Sequence, residues 1–159
     1  MKPKRPTAYL SGAMEYAHNE GADWRSEIEA WLREKLGHSA FNPSVESAKF
    51  RAKRLNGQDF RALKNGDVEN FVRIVRMLID RDLKAIAKRS TYLICLWDRR
   101  AQKGAGTTGE LTMARSLRIP VYMVTRIADR NIPGWILGCT TRRFRSFSGL
   151  KEFLLTTYR

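Results

Sequence analysis

Short apolar runs alternate along this chain with longer stretches in which apolar residues recur every three or four positions. Residues 8–12 (Ala-Tyr-Leu-Ser-Gly) make a first brief strand that ends on a glycine. Residues 13–22 are polar and glycine-containing, which predicts a loop. Trp24, Ile28, Trp31, Leu32 and Leu36 then repeat at helical spacing, with Gly37 as the stop. Residues 39–43 predict a short strand whose exit is forced by Pro43. Residues 45–66 are basic and weakly patterned, and predict a loop with a helical turn. From 68 to 88 one stripe (Phe71, Ile74, Val75, Leu78, Ile79, Leu83, Ile86) predicts a long amphipathic helix. Residues 91–97 are almost continuously apolar, as expected of a strand buried on both faces. A glycine-rich turn (Lys103-Gly-Ala-Gly-Thr-Thr-Gly109) leads into a predicted helix over 110–117, followed by a buried strand at 119–124 and a closing helix at 149–157.

Strands alternating with helices imply a doubly wound α/β architecture with a parallel sheet, whose ligands sit at the carboxyl ends of the strands. Gly12 and the 103–110 segment both fall on that edge. No repeat or linker interrupts the 159 residues, so 1–159 reads as one domain.

Composition changes this picture in one respect. Thirty Lys and Arg against sixteen Asp and Glu leave a formal charge of +14, a surface that attracts nucleic acid or phosphorylated small molecules. The only local hints of a nucleic-acid stripe are the basic 45–66 segment and Arg142-Arg-Phe-Arg145. No apolar run approaches the roughly 18 residues of a membrane span. The basic start, Met-Lys-Pro-Lys-Arg5, has no apolar signal region behind it, so a cytoplasmic location is expected. Cys95 and Cys139 form neither a disulfide framework nor a metal pattern, and His18 and His38 lack ligand spacing. No metal and no cofactor are expected.

The glycine-rich turn carries the most chemistry. Glycines admit close backbone approach, and a helix start offers free N–H groups to an oxygen-rich or anionic ligand. Glu110 would stand beside such a ligand. It has two readings: a capping box with Thr107, or a carboxylate positioned to attack a bound sugar. Tyr9 packs as an ordinary strand residue or donates its hydroxyl to Glu110 and orients it. Asp80 and Asp82 flank Arg81 on the long helix, either solvated or, for one of them, facing a cleft where desolvation raises its pKa. Asp98 closes the central strand. Asp23, Trp24 and Arg25 open the first helix, as a helix-start anion, a core residue and a cation facing phosphate or water.

Three segments in register resemble the nucleoside 2-deoxyribosyltransferase family, including its relatives that hydrolyse nucleoside 5′-monophosphates. They are Tyr9-Leu-Ser-Gly12, Asp82-Leu-Lys-Ala-Ile86 and Gly106-Thr-Thr-Gly-Glu-Leu-Thr-Met-Ala114. The resemblance implies a flavodoxin-like three-layer α/β/α sandwich with a mainly parallel sheet. It also implies N-glycosidic cleavage or transfer through a covalent glycosyl-glutamate. Glu110, Tyr9 and Asp82 would be the catalytic set, with Gly12, Arg25, Asp98, Gly104, Gly106, Thr107 and Thr108 around a nucleoside or nucleotide. A homo-oligomer is implied too, in which Tyr158 near the chain end would complete a neighbour's site. Two departures bear on the substrate. Gly104 stands where some members carry an aspartate or serine, and Arg159 follows Tyr158. The alternatives are a non-catalytic nucleotide sensor of the same fold and a basic nucleic-acid-binding protein. Salt-dependent binding to DNA or RNA would mark the last.

Overall fold

The apolar runs become the strands of one parallel sheet. The computed structural model describes residues 5–158; positions 1–4 and Arg159 lie outside the described residues. The strands are β1 (Thr7–Gly12), β2 (Ser39–Phe41), β3 (Tyr92–Leu96), β4 (Val121–Val124) and β5 (Arg142–Phe144). They lie in the order β2-β1-β3-β4-β5, every neighbouring pair parallel. This is the flavodoxin-like order, which reverses direction between β1 and β3.

The helices are α1 (Ala22–Leu36), α2 (Pro43–Arg54), α3 (Val68–Arg89), α4 (Arg99–Lys103), α5 (Gly106–Ser116), α6 (Gly134–Cys139) and α7 (Phe147–Tyr158). Because side chains alternate along a strand, β1 sends Ala8 and Leu10 to one face, against Ile28 and Leu32 of α1 and Leu150 and Leu154 of α7. Tyr9 goes to the other face, with Ile86 of α3, Leu111 and Ala114 of α5 and Ile136 of α6. The result is the expected three-layer α/β/α sandwich.

Several local expectations are corrected. Residues 45–66 are largely helical: Asn42 accepts the N–H of Ser44, Pro43 opens α2, and Arg51, Lys53 and Arg54 fill its last turn. These are ordinary start and stop signals, hidden by the lack of an apolar stripe. A 3-10 turn follows at Arg61–Asn65. The edge strand β5 is short, with both of its arginines exposed, and carries no apolar run to betray it.

The glycine-rich turn is also mostly helix. α5 begins at Gly106, so Thr107 is its second residue and Glu110 its fifth. Each glycine costs about 1 kcal/mol in a helix, which the burial of Thr107, Leu111 and Ala114 against the sheet offsets.

Candidate functional site

Tyr9 and Ser11 are two residues apart on β1 and therefore share a face; both are fully buried. Glu110, on the second turn of α5, meets them there. The Tyr9 hydroxyl donates to Glu110 Oε1 at 2.7 Å, and the Ser11 hydroxyl donates to Oε2 at 2.5 Å. The carboxylate thus accepts one neutral O–H on each oxygen. Glu110 is not a cap: its partners are side chains of β1, and no side chain caps the start of α5. The capping-box reading is overturned.

The phenol ring of Tyr9 stacks on Phe41, centroids 5.3 Å apart. Burial, and then the charge of Glu110, push its pKa well above the usual 10, so it remains a donor at neutral pH. Burial likewise raises the Glu110 carboxyl from 4.5 to about 7. The hydrogen bonds from Ser11 and Tyr9 oppose that rise, as does the charge of Arg25, while Asp82 adds to it.

Glu110 and Asp82 line one cavity of about 180 Å³, with Gly12–Tyr16 after β1, Arg81 on α3 and Gly104–Thr107 at the start of α5. Of the two aspartates on α3, Asp80 is exposed and Asp82 is the one in the cavity. Burial raises the Asp82 carboxyl, opposed by Arg81, whose Nε donates to its Oδ1 at 2.8 Å. Arg100 lines the same cavity and has no side-chain partner among the described residues.

The remaining predicted positions divide. Gly12, Gly104, Gly106 and Thr107 line the cavity. Gly12 is tightly packed, since a Cβ there would lie 3.1 Å from Trp24 and 3.3 Å from the Leu96 carbonyl. Gly104 lies under the ring of Tyr16, 3.7 Å from where its Cβ would be. Thr108 is not in the lining; its carbonyl accepts the hydroxyl of Thr112.

Arg25 is turned inward, not toward a ligand. It is 1% exposed, and donates from Nε to Leu10 O, from Nη2 to Gly12 O and from Nη1 to Glu20 O, at 2.9–3.0 Å. It ties the loop after β1 to the strand. Asp98 is likewise a cap, its Oδ1 accepting the N–H groups of Arg100 and Ala101 at the start of α4. Tyr158 docks on its own chain, its hydroxyl paired with that of Tyr122 and its ring stacked on Tyr92.

Sequence reasoning missed Ser11 as a site residue, although its position two residues after Tyr9 was the available signal. The two basic segments are heavily paired: Arg51 and Arg61 with Glu20, Lys64 with Glu15, and Arg143 and Arg145 with Asp129. Among the described residues no group of His, Cys, Asp and Glu is arranged to hold a metal ion. No described helix is long and apolar enough to cross a membrane.

No family model and no curated protein matches this chain. Among solved structures it is similar to a 2-deoxyribosyltransferase from the psychrotolerant bacterium Bacillus psychrosaccharolyticus. The TM-score is 0.60 over 91% of this chain and 90% of that one, at 23% identity. At that identity the likeness establishes a shared fold.

Proposed function

We propose that the chain cleaves or transfers the N-glycosidic bond of a nucleoside or nucleoside 5′-monophosphate, with Glu110 as the nucleophile. The observation that carries this reading is the carboxylate itself, oriented by Tyr9 and Ser11 in the wall of a cavity that also contains Asp82. The shared fold with a 2-deoxyribosyltransferase supports it.

In the first step an oxygen of Glu110 bonds to the anomeric carbon while the bond from that carbon to the base nitrogen breaks. The electron pair leaves with the base, which takes up a proton from solvent, relayed by Asp82 in the wall of the same cavity. The oxocarbenium-like charge on the sugar is stabilised by the approaching carboxylate. In the second step water or another base attacks the same carbon, gives up its proton to solvent through Asp82, and releases Glu110 as a carboxylate.

The two donors on Glu110 are neutral hydroxyls, which orient the group without neutralising it as a salt bridge would. Tyr9 and Ser11 are positioning residues in this scheme. A 5′-phosphate fits the N–H groups at the start of α5, beside Arg100. Such a reaction needs no cofactor.

The test is a panel of nucleosides and nucleoside 5′-monophosphates in the ribo and deoxy series, with and without an acceptor base, assayed chromatographically for free or exchanged base. Base release or exchange that disappears in Glu110→Gln is expected. No release from any member of the panel overturns the proposal.

A further inference from the structure

A second cavity, of about 700 Å³, takes no part in the chemistry above. It opens beyond the carboxyl ends of β3 and β4, on the other side of α4 from Glu110. Arg100 and Ala101 of α4 face the smaller cavity, whereas Arg99 and Gln102 face this one. Its volume lies within the range of roughly 300–1,000 Å³ typical of small-molecule sites.

Its walls are braced. Thr125 is 1% exposed and its Oγ1 accepts the N–H of Ile127, while Arg145 donates to the Ile127 carbonyl at 2.7 Å and to Asp129 at 3.2 Å. The loop after β4 is thereby held as a fixed rim.

Three kinds of donor meet there. Arg99 and Arg126 line the cavity, and their guanidinium groups have no partner among the described residues. Ser146 and Phe147 bring in the start of the twelve-residue helix α7; Ser146 Oγ accepts the N–H of Gly149, which leaves the N–H groups of Phe147 and Ser148 to meet an anion. Trp97 also lines the cavity; it is 2% exposed, and its indole N–H is buried without any partner. A buried unpaired N–H is costly, and because its nitrogen is closed off from water, a ligand acceptor removes that cost only with a shift of the indole ring. The only carboxylate in the lining is Asp98, whose Oδ1 is committed to capping α4.

We propose that this cavity is a second binding site, distinct from the Glu110 cavity, for a phosphorylated ligand of nucleotide size. The cations and the helix start take the phosphate. The volume, together with Trp97 and Phe147, accommodates a ring system that inorganic phosphate lacks.

The test is calorimetric titration of the full chain with ADP, inorganic pyrophosphate and adenosine, accompanied by 15N spectra in which Trp97→Phe identifies the indole signal. One ADP per chain is expected, bound more tightly than either pyrophosphate or adenosine, with the Trp97 indole resonance shifting on saturation. Arg99→Ala and Arg126→Ala should each weaken binding about tenfold, as expected for loss of a charge-assisted contact. Glu110→Gln and Arg100→Ala should leave it within about twofold.

Absence of saturable binding overturns the proposal, as does an unmoved Trp97 signal. Loss of binding in Arg100→Ala with retention in Arg126→Ala places the ligand in the smaller cavity and also overturns it. Binding of a single-stranded oligonucleotide that ADP does not displace assigns the surface to nucleic acid instead. None of these outcomes depends on whether Glu110 cleaves a glycosidic bond.

Discussion

Replacing Glu110 by glutamine separates a functional carboxylate from a structural one, because the two roles predict opposite changes in stability. Raising a carboxyl from 4.5 to about 7 corresponds to a penalty of ~3 kcal/mol on its ionised form in the folded protein. In the unfolded chain Glu110 loses its proton near its ordinary value; in the folded chain it keeps the proton until about pH 7. Between those limits the folded state binds more protons, so stability falls as pH rises and levels off above the folded value.

Glutamine resembles the neutral form at every pH. Its carbonyl accepts one hydroxyl of the Tyr9–Ser11 pair, and its amide donates to the other. Glu110→Gln should therefore match the wild type below about pH 4 and exceed it at pH 8, by up to ~3 kcal/mol. Turnover should fall by about 10³-fold or more if Glu110 is the nucleophile. Urea unfolding at a series of pH values, alongside the base-release assay, reads both. Parallel stability profiles, or a variant less stable than wild type at pH 8, would refute the claim that the fold tolerates this charge at a cost.

The other predictions concern the groups around that carboxylate. Ser11→Ala removes the hydrogen bond that most lowers the Glu110 pKa; the acid limb of the pH–rate profile should move upward by about one to two pH units, given ~1.5–3 kcal/mol for a bond to a charged group. An unmoved limb with an unchanged fold would count against Ser11 as a positioning residue. Arg25→Ala leaves the Leu10, Gly12 and Glu20 carbonyls without their donor; it should destabilise the chain by about 3 kcal/mol, and any surviving activity should show no selective loss for phosphorylated substrates. Asp98→Ala should cost about 1 kcal/mol in thermal or urea unfolding, as a helix cap does, with KM little changed. A large KM effect there would restore Asp98 to the site.

The fold was legible where burial is uniform. β3 and β4 are sheet-centre strands covered on both faces, so their apolar runs stand out, and α3 carries a stripe that no loop would show. β5 and α2 were not, for opposite reasons. β5 is an exposed edge whose side chains are arginines, and α2 is held by its Asn42 cap and Pro43 rather than by an apolar face.

The site was half legible. Gly12 and the 103–110 segment could be placed on one edge from order alone, and the family resemblance added Tyr9 and Asp82, but the register of α5 could not be read, because Gly106 and Gly109 resemble a turn until the helix is seen packed on β1. Arg25 and Asp98 were misread for a shared reason. A charged side chain beside a ligand edge has the same sequence signature whether it faces the ligand or satisfies the backbone around it, and only tertiary structure tells these apart.

That distinction also bears on why the carboxylate is held as it is. A cation hydrogen-bonded to Glu110 would depress its pKa and disperse the charge that the proposed attack on a sugar requires. Here the nearby cation, Arg25, spends its donors on carbonyls behind β1 and reaches Glu110 only through its field. The direct contacts are two hydroxyls, one on each oxygen, which fix direction without supplying a counter-charge. The cost is a proton equilibrium displaced to about pH 7, so that near neutrality a substantial fraction of the protein carries the ionised form. Strengthening the anion's stabilisation would enlarge that fraction but weaken each ion in the nucleophilic role proposed for it. The pairing of Tyr9 and Ser11 with a distant Arg25 is a compromise between those two demands, and it follows from β1 carrying its two donors on one face and the arginine's carbonyl partners in its backbone.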